Sequence, residues 1–209
     1  MLSLLLYLKK IVKNDLRTSQ VLLSLCEEVM QEKQITLEKL VKSLNHRVYG
    51  MGILIFSLPS LVPLSIIPGV AAFFSLPIIL LSLQLIFSKK VPWLPKRLKN
   101  KAIQTDLLKK IFNYSIPYLQ KIEQIIKPRY HFFSSKSIEI LVGILLTWLS
   151  ILLILPIPLS NMLFGSLISL LAIGLIEKDG LVLLIGIILG SITITLYINV
   201  FLLLLNWLF

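Results

Sequence analysis

Residues 155–161 read LPIPLSN, and they sit inside Ile140–Ile176, a run of 37 residues without one charge. Proline removes a backbone donor and breaks the helix ladder, and a lipid interior has no water to satisfy the carbonyls this frees. The break must be held inside protein, beside a polar cavity or at a membrane surface. How it is held decides whether the run crosses a bilayer once or enters and returns.

The surrounding chain gives that question its setting. It has 209 residues, is 56% hydrophobic, and has a mean hydropathy of +0.90. Its apolar residues are gathered into three uncharged blocks, 48–88, 140–176 and 181–209, which together mark an integral membrane protein. A crossing takes roughly 20 apolar residues. The first two blocks are each too long for one crossing. Pro59, Pro63, Pro68, Gly69 and Pro77 punctuate the first, and Pro156 and Pro158 the second. Cut at its prolines, the second block leaves 140–155 and 162–176, each about 22–24 Å as a helix against a core of about 30 Å. Half-helices and re-entrant arms are therefore open alternatives to full crossings. The expected fold is all-α, with about five membrane-embedded helical segments, some broken or re-entrant.

Charge orients the chain. Of 21 Lys and Arg, 20 fall in 1–47 and 89–137. The positive-inside rule puts both regions, and the N-terminus, in the cytoplasm of a bacterial inner membrane. The domain reading is amphipathic cytoplasmic or interfacial helices over 1–47, a proline-broken hairpin over 48–88, a basic amphipathic connector over 89–137, and a second hairpin with a final transmembrane helix over 138–209. Apolar positions Leu22, Leu25, Cys26, Val29 and Met30 follow helical spacing, as do Leu37, Leu40, Val41 and Leu44 with Thr36 placed as N-cap. Leu107, Leu108, Ile111 and Phe112, then Ile122, Ile125 and Ile126 after Pro117, mark a further amphipathic stretch. The charge serves topology and attraction to anionic lipid headgroups; no nucleic-acid reader motif accompanies it.

Catalytic chemistry finds little to stand on. Cys26 is the one cysteine, His46 and His131 are 85 positions apart, and no nucleophile elbow, P-loop or dinucleotide fingerprint occurs. No metal or cofactor is expected, and a soluble-type enzyme is disfavoured. The uncharged blocks hold no ionisable side chain of the kind a proton-driven carrier switches. The nearest are Glu139, which opens the second block, and Glu177 with Asp179 in EKDG. EKDG reads as an ordinary interfacial turn, or as a carboxylate pair drawn to the membrane's edge beside the second break.

GILIFSLPSLVPLSIIPG (52–69) and LSILLILPIPLSNMLFG (149–165) share an order: an apolar run, Leu-Pro, a second proline, small or polar residues, then glycine. Corresponding breaks in two halves point to an inverted repeat with a site at its interface. In that arrangement the two breaks face each other and Ser160 and Asn161 supply polar contacts to the freed backbone.

Taken in order, ITLEKLVKSLNHR (35–47), LPSLVP and IPG (58–69), PWLPKRL (92–98), IEQIIKPRY (122–130), LPIPLSNM (155–162) and GLIEKDGL (174–181) resemble the ExoD family of bacterial exopolysaccharide-synthesis membrane proteins. The resemblance covers roughly 35–186 and is most specific at Pro92-Trp93-Leu94-Pro95, Glu123 with Pro128-Arg129, and Asn161 with Asp179-Gly180. Phe164 departs from it, since the family usually has a proline there. The resemblance implies a part in exopolysaccharide synthesis or export without defining a reaction. A small lipid or solute carrier is the alternative, and a membrane-bound enzyme acting on lipid-linked sugar a third reading. Pro92, Trp93 and Pro95 read as an interfacial anchor. Glu123 held between Arg47 and Arg129 would lock surface helices onto the core, and Arg129 could instead hold a phosphate bidentately. The expected partners are membrane lipids, including anionic or polyprenyl-phosphate lipid, and further copies of the chain. Candidate functional residues are thus Arg47, Glu123, Arg129, Asn161, Glu177 and Asp179.

Overall fold

The computed structural model describes residues 17–30, 34–61, 69–89, 91–126, 135–155 and 160–208. In chain order the elements are α1 (Thr18–Met30), β1 (Gln34–Thr36), α2 (Leu37–Leu44), α3 (Arg47–Ser57), a 3-10 turn (Leu58–Leu61), α4 (Val70–Ile86), α5 (Lys96–Lys99), β2 (Ala102–Gln104), α6 (Thr105–Ile125), α7 (Lys136–Ile154), α8 (Ser160–Glu177) and α9 (Gly180–Leu208). They fall into two compact units: 1–45 with 93–127, and 46–92 with 128–209.

In the first unit α1 packs against α6. Leu22, Leu25 and Cys26 are buried, as their spacing requires. α6 buries Leu108, Phe112 and Ile116, and continues through Pro117 as one helix. Two three-residue strands join the halves, antiparallel, with Ile35 opposite Ile103. Their pairing takes up Thr36, which stands at the start of α2 without a side-chain cap bond. On α2, Lys42 Nζ lies 2.8 Å from Glu38 Oε1, and this hydrogen bond and charge hold the Glu38 carboxyl below its ordinary pKa.

The second unit is built from two helical hairpins and a last helix. α4 packs most extensively on α7, and α3 on α8. Both crossings depend on glycine. A Cβ on Gly50 would lie 2.7 Å from the Ala172 carbonyl and 2.7 Å from Ile176 Cγ1; one on Gly143 would lie 3.1 Å from the Ser82 carbonyl and 2.9 Å from Ile86 Cγ1. Hydroxyls tie the same helices: Ser57 Oγ to Ser169 Oγ, and Ser82 Oγ to Thr147 Oγ1, each at 2.8 Å. Close approach at small residues with interhelical hydroxyl pairs is how helices associate where burial against lipid gains nothing.

Among the described residues, three helices are long and apolar enough to cross a membrane: Lys136–Ile154, Ser160–Glu177 and Gly180–Leu203. Arg47–Leu61 and Val70–Ile86 are shorter apolar helices. Pro77 does not break α4, which runs through it; the carbonyl it deprives of a partner is that of Phe73, whose side chain is exposed. At the first break Pro59 sits in the 3-10 turn, and Gly69 takes φ +91°, a left-handed conformation that glycine adopts at little cost. Ser60 in that turn is buried, 2.9 Å at its Cβ from where a Cβ on Gly165 would stand. Pro63, Pro68, Pro156 and Pro158 lie outside the described residues, so the meeting of the two breaks does as well.

The contacts do not support an inverted relation between the hairpins. Inversion would start their first arms at opposite ends of the bundle. Instead His46, just before α3, and Glu139, in the first turn of α7, lie side by side, with Nδ1 and Oε2 3.9 Å apart.

Candidate functional site

The end of the second unit where α3 and α7 begin gathers its ionisable groups. α8 ends there, because the Gly50 crossing brings the first turns of α3 against Ile176. Lys178 then turns left-handed, φ 53°, and the Asp179 N–H donates to the Gly174 carbonyl at 3.1 Å, closing the helix C-terminus in a Schellman arrangement. The left-handed position is Lys178, not Gly180 two residues on. Asp179 Oδ1 accepts from the N–H groups of Leu181 at 2.8 Å and Val182 at 3.3 Å, which caps the start of α9.

A pocket opens at this end, lined by His46, Tyr49, Leu85, Glu139, Gly174, Leu175, Lys178 and Leu183. The His46–Glu139 separation of 3.9 Å is too long for a hydrogen bond and fits a bridging water or a small polar group. Tyr49 is fully buried, and its hydroxyl makes no hydrogen bond among the described residues. A buried hydroxyl normally finds a partner, so one facing a pocket marks a place for a polar ligand atom or ordered water. Arg47, Glu177 and Asp179 are buried at the same end of the bundle.

The sequence-derived candidates therefore divide. Arg47, Glu177 and Asp179 come together. Asn161 is buried at the other end of α8, 16 positions from Glu177, or about 24 Å along the helix. This corrects the expectation that Glu177 and Asp179 sit beside the second break: α8 begins just after that break and carries them to its far end. Glu123 belongs to the first unit, where it is buried and its two oxygens accept from the Ser19 N–H at 2.7 Å and the Ser19 Oγ at 2.6 Å. It thus satisfies donors at the N-terminus of α1, where a carboxylate also meets the favourable end of the helix dipole. Arg129 lies outside the described residues. Of the anchor, Pro92 is buried, and Trp93 and Pro95 are exposed.

Sequence reasoning passed over His46, Tyr49 and Lys178, and named Glu139 without a partner. A signal was available. Gly143 follows Gly50 by 93 positions, and Glu139 follows His46 by the same 93. Aligning the hairpins on their glycines would have paired the two entry residues.

Residues 18–199 match the family described as "Exopolysaccharide synthesis, ExoD". The chain is 34% identical over 151 residues to Protein ExoD of Rhizobium meliloti (strain 1021), covering 70% of this chain and 62% of that protein. It is 30% identical over 149 residues to an uncharacterized protein of Synechocystis, covering 71% of this chain and 70% of the other. The chain thus spans about three fifths of the length of the Rhizobium relative. No solved structure matches it. With a family match over residues 18–199, most of its length, the chain belongs to the ExoD family.

Proposed function

We propose that this protein is a non-enzymatic component of exopolysaccharide synthesis or export, embedded in the bacterial inner membrane with its N-terminus in the cytoplasm. Family membership over residues 18–199 is the observation that carries the process. Support for the placement comes from the three long apolar helices and from the concentration of Lys and Arg in 1–47 and 89–137. On this reading α3 with its 3-10 turn, α4, α7, α8 and α9 are the five embedded segments. α3 and α4 are short, and each is packed against a longer helix, α8 and α7 respectively.

The five segments are read here as a same-direction duplication in place of the inverted repeat expected from the two breaks. α4 begins at 70 and α8 at 160, 90 positions apart; α4 ends at Ile86 and Ile176 is its counterpart. Gly50 meets Ala172 and Ile176, and Gly143 meets Ser82 and Ile86, which are 90 positions apart in each case. The pocket takes both members of two such pairs, His46 with Glu139 and Leu85 with Leu175. It lies where a two-fold relation between the hairpins would have its axis.

That pocket favours a second reading, a small lipid or solute carrier. It brings a histidine, a carboxylate and a lysine to the end of an apolar bundle, the residue types with which a carrier holds a polar or charged solute. The lipid partners of the first reading, anionic or polyprenyl-phosphate, and self-association remain part of the same proposal. The test is complementation of a bacterium lacking its own ExoD-family protein, with membrane-fraction levels measured. The wild-type chain is expected to restore exopolysaccharide, and failure at normal membrane level contradicts the proposal. His46→Gln and Glu139→Gln separate the readings: a non-enzymatic scaffold tolerates both, and a carrier loses function with either.

A further inference from the structure

α6 is apolar on two sides. Its inner face, Leu108, Phe112 and Ile116, is buried. A second line of residues at i, i+4, i+7 and i+11 turns outward: Leu107, Ile111, Tyr114 and Tyr118 are 53, 55, 71 and 54% exposed. Their spacing keeps them within about 40° of one line on the helix. The Tyr114 and Tyr118 rings stand 5.2 Å apart, with their hydroxyls 3.4 Å from each other at the tips. A water-facing helix has no reason to keep such a line, and contiguous exposed apolar surface marks an interaction site.

The occupant is indicated by charge and by attachment. Lys110 and Lys121 are exposed at the edge of the stripe, and the first unit as a whole carries 15 Lys and Arg against seven Asp and Glu. Tyrosine suits a boundary where one end of the ring is apolar and the other wet, and lysine lays its stem along apolar surface while its ammonium reaches out. The unit is joined through 45–46, 92–93 and 127–128 to the unit that holds the three long apolar helices. A bilayer containing those helices is therefore always close at hand.

We propose that the outer stripe of α6 is a lipid-contact face: α6 lies in the headgroup layer of an anionic leaflet, with Leu107, Ile111, Tyr114 and Tyr118 inserted and Lys110 and Lys121 against lipid phosphates. The proposal rests on the membrane placement given above, and goes beyond it by assigning the surface.

The experiment uses the full chain carrying Cys26→Ser, with single cysteines spin-labelled at Tyr114, at Gln120 on the polar side of α6, and at Ile188, an exposed position about a third of the way along α9. Reconstituted in nanodiscs of phosphatidylcholine with phosphatidylglycerol, the label at Tyr114 is expected to favour oxygen over a water-soluble nickel chelate several-fold more than the label at Gln120. Lys110→Glu with Lys121→Glu, or discs of phosphatidylcholine alone, should reduce that preference. Nickel access at Tyr114 while Ile188 stays in lipid overturns this proposal and leaves the membrane placement standing. Shielding of Tyr114 from both reagents shows a protein cover and overturns it too. Nickel access at Ile188 overturns the placement and this proposal with it.

Discussion

In the first hairpin of the second unit Ser57 reaches across to Ser169; in the second, Thr147 reaches across to Ser82. Each hairpin lends its entry arm to the other's return arm, and a glycine lets each pair approach, but the fit differs. At Gly50 the nearest atoms include backbone at 2.7 and 3.0 Å, whereas at Gly143 the nearest is the Ile86 side chain, Cγ1 at 2.9 Å, with backbone at 3.1 and 3.2 Å. The entry residues differ as well, histidine in one and glutamate in the other. The apolar middle of the bundle repeats a solution; the polar end has departed from it, and the pocket sits at that departure.

The most severe way to break the comparison is to fill the glycines. Gly50→Val forces a side chain onto Ala172 and Ile176 backbone, for a loss of about 3 kcal/mol or more. Gly143→Val should cost less, about 1–3 kcal/mol, because its nearest backbone atom stands at 3.1 Å, against 2.7 Å at Gly50. Gly190→Ala, whose nearest neighbours would stand at 3.7 and 4.0 Å, should be neutral. Thermal melting in detergent reads the order; equal effects at Gly50 and Gly190 would refute the tight crossing.

Next in size are the buried polar residues. Asn161→Leu removes a buried carboxamide and leaves the groups around it without it, at about 1–3 kcal/mol. Glu123→Ala should cost a similar amount, because Ser19 loses both acceptors. Its signature is local: hydrogen exchange should rise at the start of α1 and not in α8. An unchanged exchange rate at Ser19 would show that the carboxylate is not its partner.

Smaller again is the cap of α9. Asp179→Ala should cost about 0.5–2 kcal/mol and Asp179→Asn little, since asparagine caps nearly as well. Equal losses in melting temperature would mean that charge, not capping, is what Asp179 contributes. The smallest effect belongs to Glu38. Its folded-state pKa is depressed by Lys42, so the pair's contribution is present above the unfolded carboxylate pKa and is lost as pH falls through the lowered folded value. Wild type and Glu38→Gln should differ slightly at neutral pH and converge in acid. Divergence that grows on acidification would contradict the assignment.

How much of this was legible in the sequence follows from the range of each interaction. The helical faces of α1 and α6 were readable because burial repeats every three or four residues. The strands at Gln34–Thr36 and Ala102–Gln104 were not, being three residues long and paired across almost 70 positions. EKDG forms a turn whose left-handed residue is Lys178, because the Schellman closure sets the geometry, and nothing in the local sequence points to a lysine there. Pro77 looked like a break, and the packed helix carried it. The breaks at Leu-Pro drew attention to Asn161, while the pocket formed at the opposite end. Its members are brought together only once the two hairpins are aligned, by 93 positions in the entry arms and 90 in the return arms.

The crosswise pairing of entry and return arms is the claim on which the pocket and its reading depend. Disulfide trapping in a chain carrying Cys26→Ser tests it: Ser57→Cys with Ser169→Cys, Ser82→Cys with Thr147→Cys, and the mismatched pair Ser57→Cys with Thr147→Cys. Hydroxyls 2.8 Å apart place the paired side chains within disulfide reach. Both matched pairs are expected to cross-link within the monomer under mild oxidation in membranes, and the mismatched pair is not. Cross-linking of the mismatched pair with neither matched pair forming would contradict the arrangement.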